Sequence, residues 1–147
     1  MNVADFGGRS RAFIDSNVIV YAIGNQDRRK ATVARSLIRM LIESRRGVIS
    51  AQVLGESFVS LTRKGEPPMS PDAAIADLRG LSCFRIVPLT GPLVFRAFEL
   101  QTEHQLGYWD SLIIAAAEEA DCDTVWSEDL SDGRQYGDVT VKNPFKQ

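Results

Sequence analysis

The chain has very little of what thiol, disulfide or zinc chemistry requires: its 147 residues include two cysteines and one histidine. Cys83 and Cys122 show neither metal-ligand spacing nor a disulfide framework, and each lies beside an apparent strand, so both are expected as reduced core thiols in a cytosolic protein. His104, in a polar helix end, cannot build a zinc site by itself. Long hydrophobic runs are also missing. The longest, "LIIAAA" (112–117), falls far short of the roughly 20 residues that span a bilayer, and "MNVADFGGRSRAFID" at the N-terminus lacks an apolar run of signal-peptide length. No membrane role and no export are expected. Nor is there an excess of positive charge. A net charge of -2 and a pI near 5.4 exclude a protein that holds nucleic acid by bulk charge, though not an enzyme that acts on it. Repeats, low-complexity tracts and linkers are absent too.

What is there is alternation. A chain of this length, 44% hydrophobic and 24% charged, suffices for one domain over residues 1–147 with a sizeable core. The short apolar run "AFI" (12–14) precedes "DSNVIVYAI". Next, "DRRKATVARSLIRMLIESRRG" carries Ala34, Leu37, Ile38 and Leu41 at helical spacing and is expected to stop at Gly47. "GVIS" (47–50) reads as a buried strand. "AQVLGESFVSLTRKG" follows as a helix with Leu54, Phe58 and Leu61 on one face, broken at "GEPP". Ser70 and Pro71 form an N-cap and first-turn pair for "SPDAAIADLRG"; "FRIVPL" is a strand and "TGPLVFRAFELQTEHQ" a helix. The helix "YWDSLIIAAAEEA" leads to a strand at "DTVWS" (123–127), a loop rich in Gly and Asp, and a last strand "VTVK" (139–142). Strands separated by helices require crossover connections. The expected fold is a three-layer α/β/α sandwich around a mostly parallel sheet of about five strands.

In open parallel sheets the site lies outside the carboxyl ends of the strands. Asp15 directly follows the first apolar run, Glu56 lies in the helix after the second strand, Asp110 opens the helix before the fourth, and Asp129 follows the fourth. Each has an ordinary reading alone: Asp15 and Asp110 as helix caps, Glu56 as a solvated residue off the apolar stripe, Asp129 as part of a polar loop. Their joint placement points to chemistry. Two carboxylates about 4 Å apart repel by roughly 4 kcal/mol at an effective dielectric of 20, so a cluster needs protons or cations. Oxygen donors without Cys or His suit a hard ion, Mg²⁺ or Mn²⁺. Arg9, Arg11, Arg28, Arg29 and Lys30 are candidates for guiding a nucleic-acid backbone.

Taken together, "FIDSNVIVYA", "ISAQVLGESF", "QLGYWDSLIIAAA" and "VWSEDLSDGRQYGDVTVKNPF" resemble PIN-domain ribonucleases, specifically the VapC-type toxins of type II toxin-antitoxin pairs. The resemblance covers nearly the whole chain. It implies that Asp15, Glu56, Asp110 and Asp129 are the metal-binding acids, with Asn17 and Ser127 supporting them and Asp132 an outer partner of the site or a substitute for Asp129. It also implies a homodimer, an RNA substrate and a cognate VapB-type antitoxin. Divalent ions would reverse the pocket's repulsion of a phosphodiester and activate water without a histidine base. The products expected are then 5′-phosphate and 3′-hydroxyl ends. A receiver domain would want adjacent acids after the first strand, and a haloacid-dehalogenase-type phosphatase an Asp where Asn17 stands. The alternatives within similar chemistry are a structure-specific DNA nuclease and a non-catalytic PIN-like binding module.

Overall fold

The computed structural model describes residues 10–146. In chain order the elements are β1 (Arg11–Ile14), α1 (Ser16–Ile23), α2 (Arg28–Ser44), β2 (Gly47–Ser50), α3 (Ala51–Arg63), α4 (Pro71–Arg79), β3 (Arg85–Val87), α5 (Gly91–His104), α6 (Tyr108–Glu119), β4 (Cys122–Trp126), β5 (Gln135–Tyr136) and β6 (Val139–Lys142). A 3-10 turn at Gly80–Cys83 joins α4 to β3.

Helix starts follow from short polar caps. Asp27, Ser50, Ser70 and Thr90 each accept a backbone N–H from the first turn of the helix they precede, contributing about 1 kcal/mol apiece. The end of α2 differs from expectation: it stops at Ser44, where Arg45 turns left-handed at φ 57. Gly47 instead opens β2, because a Cβ there would collide with the Phe84 ring.

The strands form one sheet of six in the order β3-β2-β1-β4-β6-β5. All pairings are parallel except β5 with β6. The fold class is as expected, with one extra strand: β5 is a two-residue antiparallel edge in the stretch read as loop, too short to carry a hydrophobic period. Central strands are buried along their length, Ala12 to Ile14 in β1 and all of β2, as a sheet covered on both faces requires. Helix α1 packs against α2 and α3, α3 against α4, and α5 against α6. Every residue of α6 from Ser111 to Ala117 is buried, so Leu112, Ile113 and Ile114 each stabilise the fold by about 1.5–3 kcal/mol.

The chain steps from β1 outward to β2 and β3, then returns to place β4 on the other side of β1. The reversal lies between β1 and β4, and a crevice opens above their carboxyl ends. Among the described residues no helix is long and apolar enough to cross a membrane. The two thiols part company. Cys122 is buried, and loss of solvation pushes its pKa up to about 12; Cys83 is exposed in the 3-10 turn rather than in the core.

Candidate active site

Asp15 begins where β1 ends. Its backbone N–H donates to the Trp126 carbonyl at 3.0 Å, which ties it to the end of β4. One carboxylate oxygen caps α1, accepting the Ser16 N–H at 2.8 Å; the other accepts from Ser127 Oγ at 2.7 Å and Asn17 Nδ2 at 3.2 Å. The capping and site readings are thus divided between two oxygens of one group. Asp15 is only 6% exposed. Desolvation raises its pKa to about 6 against the lowering effect of the Ser127 and Ser16 hydrogen bonds, with Glu56 and Asp129 adding to the rise.

Ser127 and Asn17 join this carboxylate to the loop after β4. The fully buried Ser127 hydroxyl also accepts from the backbone N–H groups of Asp129 and Leu130 at 3.2 and 3.3 Å. Asn17 Nδ2 reaches Ser127 Oγ and Asp129 Oδ2, both at 3.3 Å, while its Oδ1 accepts the Glu128 N–H at 3.0 Å. Asp129 is therefore oriented by the same two side chains that orient Asp15.

Glu56 approaches from α3, four residues beyond Gln52. Ser16 Oγ donates to one of its oxygens at 3.1 Å and Gln52 Nε2 to the other at 2.7 Å. Gln52 also donates to the Trp109 carbonyl at 3.2 Å, linking α3 to the start of α6. Asp110 is the third residue of α6, whose N-cap is Gly107 and makes no side-chain capping bond. Its carboxylate accepts no hydrogen bond among the described residues, which removes the capping explanation and leaves it projecting at the positive end of a helix. It is exposed, yet partial desolvation raises its pKa, and Asp129 and then Glu56 push it further.

The four acids thus interact across one edge of the sheet: Asp15 and Asp110 each respond to both Glu56 and Asp129. Ser16, Asn17, Tyr21, Glu56, Glu128 and Asp129 line part of a cavity of about 700 Å³ beside them. Among the described residues, no three acids, histidines or cysteines stand close enough to enclose an ion. The cluster is an open platform of oxygen donors, one of them without a partner, which fits a small hard cation that keeps several waters and takes substrate oxygens.

Asp132 stands apart. It accepts the Asn143 N–H at 2.8 Å and pairs with Lys146 at 3.5 Å, fastening the C-terminal segment. Arg11 heads β1 opposite Cys122, at the amino edge away from the acids. Arg29 donates to the Phe145 carbonyl at 3.2 Å and Lys30 pairs with Glu128; Arg28 is exposed, and Arg9 lies outside the described residues. Ser16, Gln52 and the Lys30–Glu128 pair are not marked by the sequence pattern, except that Gln52 is a polar residue one helical turn before Glu56.

Residues 12–131 match the PIN domain family. The chain belongs to the PIN-domain family. No functionally curated protein matches it. Among solved structures, a toxin-antitoxin complex from Klebsiella pneumoniae gives a TM-score of 0.68 at 17% identity, over 92% of this chain and 99% of that one. VapBC2 from Rickettsia felis, bound to a DNA fragment from its promoter, gives 0.64 at 21% identity over 90% and 97%. Mycobacterium tuberculosis VapC20, a toxin that cleaves the sarcin-ricin loop, gives 0.62 at 21% identity over 80% and 91%. At these identities the likeness is one of fold, and it places the PIN fold over most of each chain.

Proposed function

We propose that this PIN domain is a VapC-type toxin: a divalent-metal-dependent endoribonuclease that works in the cytosol as one nuclease domain over the whole chain, assembles as a homodimer and is neutralised by a VapB-type antitoxin. The observation that carries the reading is the convergence of Asp15, Glu56, Asp110 and Asp129 above the β1–β4 reversal. Several of the similar folds come from toxin-antitoxin complexes, which supports the same partner here. An antitoxin Arg or Lys entering the acidic cavity would satisfy its charge.

In this reading Asp15 and Asp110 are the central ligands of Mg²⁺ or Mn²⁺, and Glu56 and Asp129 complete the set. The bound cation would supply charge neutralisation of the phosphodiester and activation of water. The chain's own residues set the geometry. Asn17 and Ser127 hold the Asp15 and Asp129 carboxylates in register, and Gln52 and Ser16 hold Glu56. Asp15, with its pKa at about 6, gives up its residual proton near neutral pH when a cation is bound.

The test is the chemistry of the ends. Incubating cellular RNA with the purified protein and Mg²⁺ is expected to yield 5′-phosphate and 3′-hydroxyl termini, with no cutting in EDTA. Products ending in 2′,3′-cyclic phosphate, or cutting that persists in EDTA, would overturn the reading. Cleavage confined to structured DNA would replace RNA as the substrate.

A further inference from the structure

The loop after β4 presents two acids in succession, Glu128 and Asp129, and both line the cavity beside the acidic platform. They are treated very differently. Asp129 accepts from Asn17 and acts on Asp15 and Asp110, whereas Glu128 is taken up by Lys30 in a close ion pair.

Lys30 itself is held on several sides. Its backbone N–H donates to the Asp27 cap at 2.9 Å. Its ammonium lies 4.8 Å from the Tyr21 ring centroid and 5.4 Å from that of Phe145, with the Tyr21 hydroxyl at 3.3 Å. The two rings meet edge to face at 5.0 Å. Phe145 is pinned in turn: its carbonyl accepts from Arg29 at 3.2 Å and its N–H donates to Asn143 Oδ1 at 2.9 Å. The C-terminal segment thus builds one wall of an aromatic seat for a single lysine. A seat of this kind restricts an ammonium that would otherwise be free to turn, and ammonium–ring contacts add to its hold.

We infer that Lys30 is a positioning residue that divides the Glu128–Asp129 pair, drawing Glu128 out of the acidic platform so that Asp129 alone completes it. Glu has the longer side chain and the same charge as Asp. Released, it would bring a further carboxylate to the platform, bind a cation more tightly and leave less of its coordination for substrate oxygen. The inference deepens the metal-dependent nuclease reading and rests on it.

The experiment is a calorimetric titration with Mn²⁺ of wild-type protein, Lys30→Met, Lys30→Arg and the double variant Lys30→Met/Glu128→Gln, with RNA cleavage measured beside it. Met keeps the length and apolar stem that fill the aromatic seat. Lys30→Met is expected to bind Mn²⁺ roughly fivefold more tightly, the effect of one more unneutralised carboxylate nearby. It is expected to turn over RNA about tenfold more slowly at unchanged KM, the scale of other losses in support around metal ligands. Lys30→Arg keeps the charge and should stay near wild type, and Glu128→Gln should return Lys30→Met towards wild type in both readouts. Unchanged or weaker Mn²⁺ binding in Lys30→Met, or no reversal by Glu128→Gln, overturns the inference. So does a raised KM with a shallower salt dependence, which would make Lys30 an RNA contact. Failure of the wild-type protein to bind Mn²⁺ is a different result: it overturns the metal-site reading, and the role of Lys30 falls with it.

Discussion

Two acid clusters in this molecule have opposite electrostatics. On α5 and α6, Glu99, Glu103 and Glu118 surround one guanidinium, Arg96, at 2.9, 3.6 and 3.2 Å. The carboxylates stabilise the cation, Glu118 and Glu99 most of all, and raise the pKa of Arg96. Above β1 and β4, Asp15, Glu56, Asp110 and Asp129 have polar support but form no ion pair among the described residues, and it is the Asp15 and Asp110 pKa values that rise. Lys30 is taken up by Glu128, and Lys64 lines the cavity beside the acids. A count of acids would not separate the two groups. What separates them is that the first group is paired with a described cation of the chain and the second is not.

The widest gap between the clusters should appear in activity. Asp110→Asn is expected to lower kcat for RNA cleavage by about a thousandfold, on the scale of losing one electrostatic stabiliser of the reaction, while Glu118→Gln leaves it unchanged. Single-turnover assays of both variants under saturating Mg²⁺ check this.

Next comes the pH dependence of stability. Asp15 has a folded-state pKa of about 6 against an ordinary 3.8. The folded chain therefore binds this proton more readily than the unfolded one. The resulting stabilisation is complete below about pH 4 and is lost as pH rises through 6. Without metal, Asp15→Asn should gain on wild type by about 3 kcal/mol between pH 4 and pH 7.5, from a shift of about two units at 1.36 kcal/mol each. Urea unfolding in EDTA at several pH values measures it; a constant difference would contradict the burial argument.

Smaller again is Ser127→Ala, which removes a buried hydroxyl that donates to Asp15 and accepts from two backbone N–H groups. A loss of about 1–3 kcal/mol is expected in denaturant unfolding. Smallest is Arg96→Ala. Its pairs are at the surface, and a cost under about 1 kcal/mol that shrinks further in high salt is expected from the same measurement.

Much of this was legible in the residues because the fold rests on local signals. Apolar runs between capped amphipathic helices point to a parallel sheet, and the rule about carboxyl ends selects the same edge for Asp15 and Asp129 without coordinates. The rest depends on contacts between distant parts of the chain. Gln52 meets Trp109 across 57 residues, and Lys30 meets Glu128 across 98; no periodicity carries either. That Asp129 meets Asn17 while Asp132 meets Asn143 and Lys146 turns on the path of one loop, which spacing leaves open. β5 went unread because two residues cannot show alternation, and Cys83 because a 3-10 turn leaves exposed a thiol that its neighbours made look internal.

Whether Asp110 belongs to a cation site that Glu118 does not share is decided by a calorimetric Mn²⁺ titration of the purified protein beside Asp110→Asn and Glu118→Gln. Saturable binding is expected for wild type and for Glu118→Gln, with affinity lowered at least tenfold in Asp110→Asn, the scale of losing a carboxylate from a metal's surroundings. Binding by Asp110→Asn as tight as wild type, or an equal loss in Glu118→Gln, would contradict it.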